Sequence, residues 1–105
     1  MTDAMQIITT IDSREGADRL AGALVRDRLA ACVQIIGPIT STYRWQGEIE
    51  TAEEWLCLIK TTAARYDQVE EAICRLHPYD VPEILATAVT AGSQAYLQWL
   101  AAQVY

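Results

Sequence analysis

Two long strand-like segments separated by a two-residue turn signal constrain the fold more than any other feature of this sequence. The first segment, Cys32–Trp45, is rich in β-branched and aromatic residues, and the second, Ile49–Lys60, alternates its side chains as a strand does. Gln46-Gly47 between them is typical of a tight turn, so the two segments predict a long β-hairpin. Gly37-Pro38 interrupts the first segment and predicts a bulge or bend there.

The segments on either side of this hairpin complete an alternating order of strands and helices. Helical spacing of apolar residues predicts one helix before the hairpin and two after it, each preceded by residues that can cap a helix. The predicted elements are a strand at Met5–Ile11, a helix capped within Asp12–Glu15 with apolar spacing from Ala17 to Leu29, a helix capped by Thr61-Thr62 that ends at His77 before Pro78, a strand at Ile84–Thr90 and a terminal helix capped by Ser93. This order predicts an α+β, ferredoxin-like βαββαβ sandwich with a long central hairpin and an extra C-terminal helix.

The chain is too short to form more than one hydrophobic core. Its 105 residues predict a single domain over 1–105. Hydrophobic residues make up 51% of the chain, while both main helices would cover only one face of the four-stranded antiparallel sheet. The hairpin strands are apolar on both faces, so a monomer would expose more apolar area than soluble monomers usually tolerate. We therefore expect the protein to self-associate.

The charge balance argues against partners that carry many negative charges. Eight Lys and Arg residues stand against 14 Asp and Glu residues, giving a net charge of −6. Such a field repels nucleic acids and anionic membranes. Residues 84–105 carry no formal charge, but Ala91–Ser93 interrupts them, so we interpret them as a buried strand and a helix rather than a membrane span. No secretory signal is visible at the N-terminus, which predicts a cytoplasmic protein.

A short proline-rich loop and the hairpin aromatics carry the candidate binding residues. Two prolines stiffen His77–Glu83 and would fix the directions of its side chains, although a histidine at the end of a helix is also an ordinary helix stop. Tyr43 and Trp45 lie near the hairpin turn, where aromatics are more often packing than ligand contacts. Lys60 at the end of its apolar strand could hold a bound anion or form a structural salt bridge with Glu83.

The metal-capable residues are few and scattered. The chain has one histidine, His77, and three cysteines, an odd number without the close spacing of a disulfide framework or a zinc knuckle. A thiolate such as Cys32 together with an imidazole would suit copper or zinc, but two such residues do not make a preformed site. No phosphate loop, nucleophile elbow or Ser/His/Asp set is present, so we expect no enzyme activity.

Five segments taken together resemble the CutA divalent-cation-tolerance family. The match extends from about the first strand to the last helix, and the order and spacing of the segments make it specific. The segments are Leu29–Val33, Ser41–Ile49, Ile59–Thr61, His77–Ile84 and Tyr96–Trp99.

The resemblance implies a tight homotrimer with a ferredoxin-like subunit, in which the long hairpins pair between subunits. It also implies a role in tolerance of copper and other divalent cations, and a shape similar to that of the trimeric PII signalling proteins. Family motif positions lie in clefts between subunits. Carried over to this chain, they give a cleft set of Tyr43, Trp45, Lys60, Tyr79 and Glu83, with Cys32 and His77 as the metal-capable side chains.

The sequence departs from one family pattern. Some bacterial relatives have a cysteine and a second histidine where this chain has Thr9 and Leu76, so His77 alone remains of that ligand set. We expect binding of Cu²⁺ or Zn²⁺ to be weak or shared between subunits, with no obligatory cofactor. Two alternatives stay open: a PII-like sensor that binds a small anionic metabolite through Lys60 and Tyr79, and a scaffold whose cleft residues only stabilise the trimer.

Overall fold

The computed structural model describes residues 2–105, which form a four-stranded sheet with helices between and after its strands. All strand pairs are antiparallel, and the order across the sheet is β2-β3-β1-β4. This confirms the predicted α+β arrangement with its long hairpin and extra C-terminal helix. The elements are β1 (Ala4–Ile11), α1 (Arg14–Arg26), β2 (Cys32–Trp45), β3 (Glu48–Thr62), a 3-10 turn (Ala63–Arg65), α2 (Tyr66–Leu76), β4 (Leu85–Ala88) and α3 (Gln94–Gln103).

The hydrophobic core lies between one face of the sheet and the helices α1 and α2. Alternate residues of β1 and β3 face the apolar stripes of these helices, as strand periodicity requires. Within the predicted cap segment Asp12–Glu15, Ser13 caps α1, since its Oγ accepts a hydrogen bond from the Gly16 amide at 3.0 Å. The buried cluster comprises Ile7, Ile11, Ala17, Leu20, Leu24, Ala30, Cys57, Ile59, Val69, Ala72 and Ile73.

The opposite face of the sheet carries a second apolar surface. Because side chains alternate along a strand, the neighbours of the core residues point away from α1 and α2. The register places Leu58 opposite Ile8 and Ile8 opposite Leu85, forming one apolar row across three strands. Ile36 and Leu85 are 48% and 59% exposed. This open face is therefore not closed by the helices that form the core.

The β2-β3 hairpin contains the predicted bulge and turn. The strand register shifts between Ile36 and Ile39, on either side of Gly37-Pro38, whose peptide bond is cis. A Cβ at Gly37 would lie 2.4 Å from Cδ1 of Trp55, so only glycine fits against this indole. At the hairpin end, Gln46 and Gly47 both have positive φ angles, 49° and 82°, as a tight hairpin turn requires.

Two predicted helix boundaries differ from the structure. Thr61-Thr62 does not cap α2, because β3 continues through Thr62 and pairs with β1 up to Ala4. The helix begins at Tyr66, after the 3-10 turn, without a side-chain cap. The first helix stops at Arg26 rather than continuing to Leu29, whose carbonyl accepts a hydrogen bond from Thr61.

The last strand is also shorter than predicted, since the 84–90 segment pairs with β1 only over Leu85–Ala88. Within residues 2–105, no helix has both the length and the apolar character needed to span a membrane.

Candidate binding groove

The C-terminal end of α2 positions the proline-rich loop His77–Glu83, which carries candidate binding residues. His77 terminates the helix, with its amide donating to the Ile73 carbonyl at 2.8 Å, and its side chain is buried. Its Nε2 lies 2.7 Å from the Thr10 carbonyl and therefore donates, while Nδ1 accepts from the Tyr79 amide at 3.2 Å. Both ring nitrogens are thus engaged, and the imidazole links β1 to the backbone of Tyr79.

Tyr79 in turn holds a buried carboxylate on β3. Its hydroxyl donates to Oε2 of Glu54 at 2.8 Å, and Glu54 is only 7% exposed. Burial, together with the hydrogen bond to Glu54 and the charge of that carboxylate, raises the pKa of the Tyr79 hydroxyl well above its ordinary value. The hydroxyl therefore remains a hydrogen-bond donor to Glu54 throughout the physiological pH range.

A groove of about 870 Å³ opens between the hairpin and the loop that follows α2. Tyr43 and Trp45 on β2 supply two aromatic rings to its lining, and Tyr79 on the loop supplies a third. Its walls carry four carboxylates, and the residues that line it include neither lysine nor arginine. The acidic residues are Glu50, Glu54, Asp80 and Glu83.

Four of the predicted cleft residues meet at this groove, and Lys60 does not. Tyr43, Trp45, Tyr79 and Glu83 all line it. Lys60 lies six positions beyond Glu54 on β3, which corresponds to roughly 20 Å of strand. Its ammonium group sits 5.9 Å from the centre of the Tyr96 ring on α3.

Of the two roles considered for Lys60, the salt bridge with Glu83 does not form within one protomer. Within residues 2–105, the one ion pair joins Arg14 to Asp18 at 3.1 Å. Lys60 does not reach Glu83 because the strand register places Lys60 opposite Gln6 and Cys32, at the far end of the sheet from the groove.

The two metal-capable side chains do not converge within one protomer. Cys32 is paired with Lys60, whereas His77 contacts Thr10, which is paired with Leu56 several residues away along β3. In the part of the chain that the structure describes, no three His, Cys, Asp or Glu side chains are grouped to hold a metal ion. A preformed metal centre does not fit the residues of a single protomer, and a metal at His77 would have to displace one of its two hydrogen bonds.

Glu54 is a buried groove residue that the sequence does not indicate. It follows Glu53 in a strand whose side chains point alternately to the two faces, and a glutamate on either face is usually solvated. Its burial depends on the loop after α2, which brings Tyr79 to a strand 25 residues away in the sequence. No local pattern contains this contact.

Comparisons with known proteins agree with the motif resemblance. The model of the family described as "CutA1 divalent ion tolerance protein" matches residues 5–103. The "Divalent-cation tolerance protein CutA" of Thermus thermophilus is 47% identical over 90% of this chain and 91% of its own length. The chloroplastic CutA protein of Arabidopsis thaliana is 39% identical over 90% of this chain, which spans only 52% of that protein.

The fold of this chain is also closely similar to the solved structure of a CutA protein. The crystal structure of CutA from Xylella fastidiosa superposes with a TM-score of 0.97 at 39% identity, covering 99% of this chain and 100% of the other. The similarity thus includes the hairpin, the loop after α2 and the last helix, the elements that carried the motif resemblance. The chain belongs to the CutA1 divalent ion tolerance protein family.

Proposed function

We propose that this protein contributes to divalent-cation tolerance in the cytoplasm as a homotrimer, with the metal as a weakly bound cargo rather than a resident cofactor. The observation that carries the role in tolerance is the 47% identity to the Thermus thermophilus protein, whose name states that role, over 90% of the chain. The description of the family and the name of the Thermus thermophilus protein refer to tolerance of cations rather than to a reaction, so no catalytic step is included.

The open face of the sheet supports the assembly. Ile8, Leu58 and Leu85 form an apolar row on the side that α1 and α2 leave uncovered. The outer strand β2 is 14 residues long and, among the strands of residues 2–105, pairs with β3 alone, so its outer edge can form backbone hydrogen bonds with another copy. Three copies arranged around this face would bury the apolar row and bring their hairpins together.

The contacts of His77 support weak rather than tight metal binding. Its two ring nitrogens already bind the Thr10 carbonyl and the Tyr79 amide. Copper or zinc would have to replace one of these bonds, and ligands such as Cys32 would have to come from a neighbouring copy. Metal binding would also weaken as the pH falls, because coordination requires an imidazole nitrogen without a proton.

Calorimetric titration of the assembled protein with Cu²⁺ and Zn²⁺ tests the metal contact. We expect weak binding that is lost in His77→Ala and retained in Cys74→Ala, which removes an exposed thiol on α2 as a matched control. Circular dichroism would establish that the His77 variant is folded. Identical isotherms for the wild type and His77→Ala would remove His77 from the proposal.

The cellular role needs a separate test. In a bacterial host that lacks its own CutA protein, expression of this chain should restore growth at a copper concentration that inhibits the deletion strain. Fractionation of the same cells should recover the protein with the cytosol. Unchanged copper sensitivity at normal expression would contradict the role in tolerance, and recovery from the periplasm would contradict the location.

No specific observation favours the alternative of an anion sensor. A small anionic metabolite would need a cationic contact in the groove, but Lys60 lies against Tyr96 at the other end of β3. The residues that line the groove contribute carboxylates instead. The PII-like alternative therefore requires Lys60 of a neighbouring copy at this groove.

A further inference from the structure

Arg28 occupies a backbone position that favours glycine. It follows the end of α1 with a positive φ angle of 61°. The Arg28 and Leu29 amides donate to the carbonyls of Val25 and Leu24, in the last turn of α1, at 3.2 and 3.0 Å. Many helices end in this pattern, and its left-handed residue is usually glycine because a Cβ disfavours that conformation. The backbone alone does not account for an arginine here, so the contacts of its side chain are informative.

Arg28 makes three contacts with the end of the last helix. Its Nη1 donates to the Gln103 carbonyl at 3.3 Å, and its guanidinium carbon lies 4.8 Å from the centre of the Tyr105 ring. Its own carbonyl accepts a hydrogen bond from the Tyr105 amide at 3.3 Å. Gln103 is the last residue of α3, where carbonyls lack partners within the helix and a cation is favourable. Arg28 thus fastens the end of α3 to the turn after α1.

The other end of α3 is attached through a short irregular segment. The chain is tied to the sheet as far as Val89, whose amide donates to the Ala4 carbonyl at 3.1 Å and whose carbonyl accepts from the Thr2 hydroxyl at 2.7 Å. Residues 89–93 have no regular secondary structure, and α3 begins at Gln94. The segment 90–93, which contains Gly92, can therefore act as a hinge.

The helix packs loosely between these two attachments. Leu100 is the one residue of α3 that is buried, and Val104 directly after the helix is 8% exposed. A cavity of about 390 Å³ lies between the helix, the start of β1 and the end of β3. Few buried apolar contacts are typical of elements that open without unfolding the rest of the domain. The helix also contacts Lys60, one of the predicted cleft residues, whose ammonium group lies 5.9 Å from the centre of the Tyr96 ring.

We propose that α3 is a hinged strap that opens independently of the sheet, and that Arg28 is the residue that fastens its far end. The strap consists of α3 together with Val104 and Tyr105. Opening about residues 90–93 releases Lys60 from Tyr96 and uncovers Leu100, so the strap determines whether Lys60 is held. The proposal goes beyond divalent-cation tolerance and does not depend on metal binding at His77.

Hydrogen exchange of the assembled protein, measured by mass spectrometry, tests the proposal. In the wild type, amides in the second half of α3 should exchange faster than those of β1. Arg28→Gly removes the fastening side chain and also relieves the backbone strain. These α3 amides should then exchange about threefold faster or more, while the midpoint of guanidinium unfolding does not fall. Arg19→Ala removes the same charge from an exposed position on α1 and should change neither measurement.

Tyr105→Ala tests the same fastening from the side of the strap. Tyr105 is 69% exposed, so its substitution leaves the core intact. It should raise the exchange rate of the same α3 amides. In the double variant with Arg28→Gly, the rise should be smaller than the product of the two separate rises, because both substitutions remove one shared contact.

Three results would overturn the proposal. Wild-type α3 amides as well protected as those of β1 would mean that the strap does not open separately. Unchanged α3 exchange in both Arg28→Gly and Tyr105→Ala would mean that Arg28 does not fasten it. An equal rise in exchange over α1, β1 and α3 would reduce Arg28 to a general contribution to stability.

Discussion

Replacing Thr9 by valine should stabilise the protein, because Thr9 carries a buried hydroxyl without a hydrogen-bond partner. Thr9 lies on β1 with 0% exposure, and no group among residues 2–105 forms a hydrogen bond with its Oγ1. It faces the core beside Cys57, its partner on β3. Valine has nearly the same shape and replaces the hydroxyl with a methyl group, so the core keeps its packing.

The magnitude follows from the cost of an unsatisfied hydroxyl. A buried polar group left without a partner costs about 1–3 kcal/mol in mutational series. Removing it should raise the free energy of unfolding by about 1–2 kcal/mol, since valine relieves that penalty without leaving a cavity. Few single substitutions stabilise a protein by this amount, so the sign alone is informative.

Thr61 provides a matched control for this substitution. It is also 0% exposed and lies on the adjacent strand, facing the same core, but its hydroxyl donates to the Leu29 carbonyl at 2.6 Å. Thr61→Val should therefore lower the free energy of unfolding by about 1 kcal/mol, because it leaves that carbonyl without its donor. The same chemical change should thus have opposite signs at two equally buried positions.

Guanidinium unfolding measures both effects. The midpoint should rise for Thr9→Val and fall for Thr61→Val with an unchanged denaturant slope. All proteins must be compared at one protomer concentration, because association changes the apparent stability. A clear loss of stability in Thr9→Val would refute the reasoning, since it would mean that the Thr9 hydroxyl makes a favourable contact.

Three other perturbations test separate parts of the structure. Gly37→Ala should destabilise the protein by about 2 kcal/mol or more in the same unfolding assay, because its Cβ would lie 2.4 Å from the Trp55 ring; a loss below about 0.5 kcal/mol would contradict this packing. Burial raises the pKa of Cys57 from 9.0 to about 11, so the folded state retains a proton that the unfolded state releases. The free energy of unfolding should therefore fall by up to about 1.4 kcal/mol per unit as the pH rises from 9 to 11, and this fall should be smaller in Cys57→Ala; parallel pH curves would contradict it. Leu58→Lys, on the open face, should lower the mass of the assembly with little change in circular dichroism, whereas Val25→Lys on α1 should retain the mass; equal masses would exclude the open face as the interface.

The hairpin could be predicted from sequence because its signals are local. Gln46-Gly47 marks the turn and Gly37-Pro38 marks the register shift, and both act through the conformations of the residues themselves. The apolar faces of the helices could also be predicted, since the spacing of apolar residues is visible within a short stretch of sequence. These features give the order of the elements and hence the fold.

The candidate site was only partly predictable, because it depends on contacts between distant segments. The loop after α2 was identified from its prolines, and Tyr79 does line the groove. Its partner Glu54 could not be found from a strand of alternating and charged residues, since only the folded loop buries it. Within one protomer Lys60 does not reach Glu83, because strand register, not residue type, determines which side chains meet.

Sedimentation equilibrium of the wild-type protein at micromolar concentration tests the central claim most directly. One protomer leaves an apolar sheet face uncovered, and we propose that identical copies cover it. We expect a particle with three times the 11.7 kDa mass of the chain. A stable, folded particle of 11.7 kDa would contradict it.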